Sequence, residues 1–216
     1  MTPFEEFYLY LTQISSIIPV VAGFWYYKKL TLPFKILFYF CVLSALFEPA
    51  SRILMKVYLN NIPGQQLYTV LEFLTLSLVF YLSTLKRNLR LLIVINALVF
   101  IVLAARDAIH SIWELNELSH GYAAVSMMLY ALGYLYHLFT VDDTRYMREY
   151  PMFWLCISML VYFALNALYF IGETNLINEN SRFAWGFHLS HGALIIIANC
   201  LLANAFRCLG KQKAIA

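Results

Sequence analysis

The residue pattern predicts an all-α membrane protein: a seven-transmembrane-helix bundle with its N-terminus outside and its C-terminus inside. Three observations lead there. Hydrophobic residues make up 62% of the 216-residue chain and charged residues only 12%, where a soluble domain carries about 45–50% and about 25%. Seven stretches approach or exceed the roughly 20 mostly apolar residues that a lipid-spanning helix needs. Their basic flanks alternate in density, as the positive-inside rule requires of a threaded chain.

The segments run over 7–27, 33–57, 66–85, 89–106, 120–141, 151–172 and 183–207. Together they leave no room for a soluble domain, so residues 1–216 read as a single membrane domain. Each is far longer than a spanning strand of about 9–11 residues, which excludes a β-barrel reading.

The first segment contains Thr12, Gln13, Ser15, Ser16 and Pro19 and ends in the aromatic belt Trp25, Tyr26 and Tyr27 before Lys28 and Lys29. It has Glu5 and Glu6 where a signal peptide would carry cations, so it reads as a retained helix. The second begins near Pro33, a favourable first-turn residue, and carries Glu48-Pro49, where proline predicts a kink near the preceding turn. A turn follows at Asn60-Asn61-Ile62-Pro63-Gly64. The third segment ends at Lys86-Arg87 and the fourth near Arg106-Asp107. The connection through Trp113, Glu114 and Glu117 is amphipathic. The fifth segment is rich in Tyr, Met and Gly, and the loop Asp142-Asp143-Thr144-Arg145 reads as a solvated turn. The sixth starts at Pro151, and the seventh ends near Arg207.

With the N-terminus outside, the inner ends hold Lys28, Lys29, Lys35, Lys86, Arg87, Arg90, Arg145, Arg148, Arg207, Lys211 and Lys213. The outer ends hold only Arg52, Lys56, Arg106 and Arg182. An odd number of spans accounts for that asymmetry. The basic loops then act as topology determinants and anionic-lipid contacts, and nucleic acid is not a partner. Cys41, Cys156, Cys200 and Cys208 fall in the inner half or at the inner end, which disfavours a disulfide framework.

Ionisable groups inside a span are costly and mark functional sites. Glu72 lies about 9 Å, and Glu48 about 13 Å, inside the outer ends of their segments, at about 1.5 Å per residue. On the same scale His188 and His191 lie about 7 and 12 Å below the outer start of the last segment. Helical spacing groups them into faces: Glu48 with Arg52; Tyr68, Glu72 and Thr75; Tyr162, Asn166 and Tyr169; His188, His191, Ile195 and Asn199; Asp107 with His110. If these faces point inward, they line one pocket in the outer half of the membrane.

Three readings fit. The groups could hold the helices together by interhelical hydrogen bonds. They could receive a small cationic or polar ligand, with Glu48, Arg52, Tyr68, Glu72, Tyr162, Asn166, His188 and His191 as the binding set. Or Glu48, Glu72, His188 and His191 could hold zinc or iron and activate water for hydrolysis, although no His-Glu-x-x-His motif is present. His120 and His137 read as interfacial, and Asn96, Asn199 and Asn204 as interhelical hydrogen-bonding residues. A retinal Schiff base is excluded, because no lysine occurs between Phe183 and Arg207. Serine-protease motifs, glycine-rich phosphate loops and paired aspartate motifs for prenyl diphosphates are also absent.

Three stretches carry a resemblance: Leu67-Tyr68-Thr69-Val70-Leu71-Glu72-Phe73; Phe153-Trp154 through Val161-Tyr162-Phe163; and Trp185-Gly186-Phe187-His188. In these the chain resembles a family of small seven-helix integral membrane proteins of Bacteroidota. The resemblance implies a seven-helix fold, a bacterial inner (cytoplasmic) membrane and association with sensor histidine kinases. It assigns no catalytic residue. The resulting expectation is a receptor-like or signalling-accessory protein, with enzyme activity left open. A metal-dependent intramembrane hydrolase and a small-solute transporter are the alternatives.

Overall fold

The computed structural model describes residues 3–84, 86–111, 113, 117–141, 144–176 and 181–212, and their side chains except at 3–6, 117, 141, 144–146, 165, 168–170, 171–176, 181–188 and 211–212. Among the described residues the regular structure is entirely helical. It comprises α1 (Pro3–Ile14), α2 (Ile17–Trp25), α3 (Leu32–Tyr58), α4 (Ile62–Ser83), α5 (Arg87–His110), α6 (Glu117–Val141), α7 (Pro151–Leu176) and α8 (Ser181–Gln212). Short 3-10 turns occupy Tyr27–Lys29 and Thr144–Glu149.

Six stretches among the described residues are long and apolar enough to cross a membrane: Phe7–Trp25, Leu32–Tyr58, Ile62–Ser83, Arg87–His110, Leu118–Thr140 and Leu189–Gly210. Pro151–Ala164 of α7 is a shorter apolar stretch. The chain is therefore a multi-pass helical membrane protein. Exposure agrees: Leu91, Leu92, Ile95, Leu98 and Val102 share one broad face of α5 and are all exposed, which in a bilayer is lipid contact.

The first expected helix is interrupted. Ser15 and Ser16 donate their hydroxyls to the carbonyls of Thr12 and Gln13, at 2.5 and 2.7 Å. The Ser16 and Ile18 amides reach back three residues, to Gln13 and Ser15. Serine hydroxyls compete for carbonyls that a continuous helix would use, so the chain tightens there and restarts. Pro49 by contrast lies inside an unbroken α3. Proline is tolerated in membrane helices where neighbouring groups satisfy the freed carbonyl. The α3–α4 connection is only Leu59, Asn60 and Asn61. Leu59 takes the left-handed conformation at φ 56°. Asn60 Oδ1 accepts from the Ile62 amide at 2.8 Å, and Asn61 Nδ2 donates to Ser51 Oγ at 2.8 Å.

The chain divides into two compact units, residues 1–30 with 128–216, and residues 31–127. In the first, α8 packs on α1, α2 and α7. Tyr8 donates its hydroxyl to the Leu189 carbonyl. Asn199 Nδ2 donates to Ser15 Oγ at 2.9 Å, and Ser158 Oγ donates to the Ala198 carbonyl at 2.7 Å. Asn199 thus has the interhelical role expected of it. Two glycines let α8 approach its neighbours. A Cβ on Gly192 would lie 2.7 Å from the Tyr8 ring and 2.8 Å from Thr12 Oγ1, and one on Gly210 would collide with the Tyr26 ring. Small residues at membrane-helix contacts serve this purpose.

In the second unit α4 packs between α3 and α5. Phe73 and Phe100 stack with ring centroids 4.0 Å apart, joining α4 to α5. Tyr68 stacks on Phe47 at 4.7 Å and Phe40 at 5.8 Å, and its hydroxyl lies 2.9 Å from Ser44 Oγ. Asn96 of α5 accepts from Tyr122 and, at 3.4 Å, from Ser126 of α6. All four cysteines are free thiols, with only Cys200 exposed.

Candidate functional site

A polar site lies in the second unit, where the N-terminal half of α4 meets the C-terminal half of α5 and the start of α6. A cleft of about 190 Å³ opens there. Its polar lining is Gln66, Thr69, Ser119 and His120, and its apolar lining includes Val70, Phe100, Ala104 and Ala108. Helical spacing explains the α4 contribution, because Gln66, Thr69 and Val70 fall on one side of the helix.

His120 is the pivotal group. It is only 8% exposed, and its Nε2 lies 2.8 Å from Thr69 Oγ1. Thr69 Oγ1 also donates to the Gln65 carbonyl at 3.1 Å. The Thr69–His120 bond, whose direction follows the imidazole tautomer, holds the ring between α6 and α4. Beside it, Asp107 is buried and accepts from the Ser119 amide through Oδ2 at 3.0 Å. That amide belongs to the first turn of α6, where a carboxylate is favoured by an otherwise unpaired N–H and by the helix dipole. Asp107 thereby anchors the segment that presents Ser119 and His120 to the cleft.

The expected set of eight residues divides between the units. In the second unit, Glu48 and Arg52 are half-buried and interact electrostatically along one face of α3. Tyr68 is held between two phenylalanines, and Glu72 is 8% exposed on α4. In the first unit, Asn166 Oδ1 and His191 Nε2 lie 2.9 Å apart, joining α7 to α8. Tyr162 packs edge-on against Phe163 at 4.9 Å. The side chain of His188, like those of Tyr169 and Glu114, falls outside the described residues.

His120, expected near the membrane surface, is buried within protein and hydrogen-bonded. The Asp107–His110 face separates by environment: Asp107 is buried and His110 exposed. The signal in the sequence was Thr69 three residues before Glu72, which put a hydroxyl on the same stretch of α4 as a buried acid, and Ser119-His120 at the start of an apolar run. Among the described residues, no group of three or more His, Cys, Asp or Glu side chains could hold a metal ion. The zinc or iron quartet of Glu48, Glu72, His188 and His191 includes a side chain outside that set. Among the described buried polar atoms without a hydrogen-bond partner is Ser77 Oγ, on α4.

No known protein family, curated protein or solved structure matches this chain.

Proposed function

We propose that the chain is a receptor-like or signalling-accessory membrane protein that takes a small polar or cationic molecule into the α4–α5–α6 cleft. The observation that carries this reading is the orientation of His120: a buried imidazole held by Thr69 at the edge of a cleft with an apolar floor. Pockets of this kind pair an apolar wall with a few placed polar groups. At about 190 Å³ the cleft suits a compact ligand, below the 300–1,000 Å³ or so typical of drug-sized ones. Glu48, Arg52, Tyr68 and Glu72 belong to the same unit but lie outside the lining of this cleft. In the other unit the described members of the expected set are Tyr162, Asn166 and His191.

Ligand uptake that favours one arrangement of α4 and α6 would bias the loops at their far ends, which is how a receptor signals. In the proposed topology, seven spans with the N-terminus outside in a bacterial inner membrane, the cleft would face the periplasm and be accessible to external solutes. The excess of Lys and Arg at alternate ends supports that topology, and the 26-residue length of α7 supports the seventh span. A sensor kinase in the same membrane is the proposed partner.

The test is thermal unfolding of purified protein against small amines, quaternary ammonium ions and alcohols, because a ligand that binds only the folded state raises its stability. Ala104→Leu narrows the cleft without introducing a polar group. The expected result is a stabilising probe whose effect disappears in Ala104→Leu. An equal response in that variant, or no response to any probe in the wild type, would refute the proposal.

A further inference from the structure

One end of the first unit gathers cations from three separate pieces of chain. The turn Tyr27–Lys29 brings Lys28 and Lys29, the turn Thr144–Glu149 brings Arg148, and the end of α8 brings Arg207; all four side chains are exposed. Short bonds hold these pieces together. Lys29 Nζ donates to the Gly210 carbonyl at 2.8 Å. The Arg148 carbonyl accepts from Trp154 Nε1 at 2.7 Å and from Cys208 Sγ at 3.5 Å. The close approach of Gly210 to the Tyr26 ring brings the first turn and the end of α8 into direct contact.

Positive-inside bias explains why cations lie at this end of their helices. It does not explain why the backbone carrying them is pinned into one platform. Lys29 keeps two donors after its bond to Gly210. The only described acid in these turns is Glu149, also exposed. Counting the whole stretches 26–29, 142–149 and 207–213, seven Lys and Arg face three Asp and Glu. Phe24 and Trp25, 76% and 79% exposed, stand immediately before the first turn. Exposed aromatic residues at the end of a membrane helix settle at headgroup depth, so the platform lies at the level of lipid phosphates.

We propose that this platform is a specific site for an anionic phospholipid headgroup bearing two phosphates, with Lys28, Arg148 and Arg207 as its cationic rim and Lys29 as the brace beneath it. Two phosphates match cations spread over three pieces of chain, whereas a single phosphate engages only part of them. Basic pockets at the ends of membrane helices bind such headgroups.

Native mass spectrometry of the full chain with cardiolipin, with phosphatidylglycerol at equal phosphate and with phosphatidylcholine tests it. The expected order of retention is cardiolipin, then phosphatidylglycerol, then phosphatidylcholine. Replacing the rim by Lys28→Gln, Arg148→Gln and Arg207→Gln together should weaken cardiolipin retention about a hundredfold, three cations each contributing about a factor of five. The charge-preserving set Lys28→Arg, Arg148→Lys and Arg207→Lys should keep most of it. Glu149→Gln should strengthen it, a gain that misfolding cannot produce. Cardiolipin held no better than phosphatidylglycerol, equal retention by the neutral triple variant, or equal loss in the charge-preserving set would overturn the site.

Discussion

Thr69 and His120 face each other across 2.8 Å, 51 positions apart in the chain, and their bond is the link through which α6 is oriented on α4. Thr69→Val removes the hydroxyl while keeping the shape, leaving the buried imidazole nitrogen without that partner at a cost of about 1–3 kcal/mol. The expected outcome is a lower midpoint in thermal or denaturant unfolding. His120→Gln, which can place an amide N–H near the same point, should lose less than His120→Leu.

A second expectation contrasts two serines. Ser158 Oγ reaches the Ala198 carbonyl, whereas Ser77 Oγ is buried without a partner among the described residues. Ser158→Ala should destabilise by about 1 kcal/mol, the usual net worth of an intramolecular hydrogen bond. Ser77→Ala removes a desolvated hydroxyl that earns no bond, and should leave stability unchanged or raise it. Parallel unfolding curves check both, and a larger loss at Ser77 than at Ser158 would contradict the assignment.

Glycine packing provides a third. Around Gly192 a Cβ would press on Tyr8 and Thr12, and around Gly133 it meets nothing within 4 Å. Gly192→Val should destabilise by about 1–3 kcal/mol through overpacking. Gly133→Ala should stabilise by roughly 0.5–1 kcal/mol through helix propensity alone. A fluorescence-monitored melt of each variant separates the two signs.

Leu59 carries the fourth. Its left-handed backbone at φ 56° costs an L-residue about 1–2 kcal/mol, and its side chain is 82% exposed, so little packing offsets that strain. Leu59→Gly should raise the unfolding midpoint or hold it level, the relief being partly cancelled by a freer unfolded chain. Leu59→Val, branched at Cβ, should lower it. The ranking glycine at or above leucine, and leucine above valine, is the observable.

The helices were legible because a lipid environment imposes one dominant requirement, a long apolar run, and because Pro33, Pro63 and Pro151 mark three helix starts within the first turn. Glu48 with Arg52 was legible for the same reason: both lie on one helix, four residues apart. The break at Ser15 and Ser16 was not, because it depends on which carbonyls two hydroxyls choose, a competition decided over tenths of an ångström. Nor was the setting of His120. Its position near the start of an apolar run suits an interfacial residue, and only the fold of α6 against α4 brings Thr69 within reach. Asp107 was misjudged similarly. Spacing pointed to His110 on its own helix, but its carboxylate serves the backbone of Ser119, twelve residues on, beyond a connection that no periodicity describes.

A link of only Leu59, Asn60 and Asn61 ties the ends of α3 and α4 together, so closing the loop between them costs little entropy. The two spans dock as one helical hairpin, with the aromatic clasp of Phe47 and Tyr68 made between immediate neighbours in the chain.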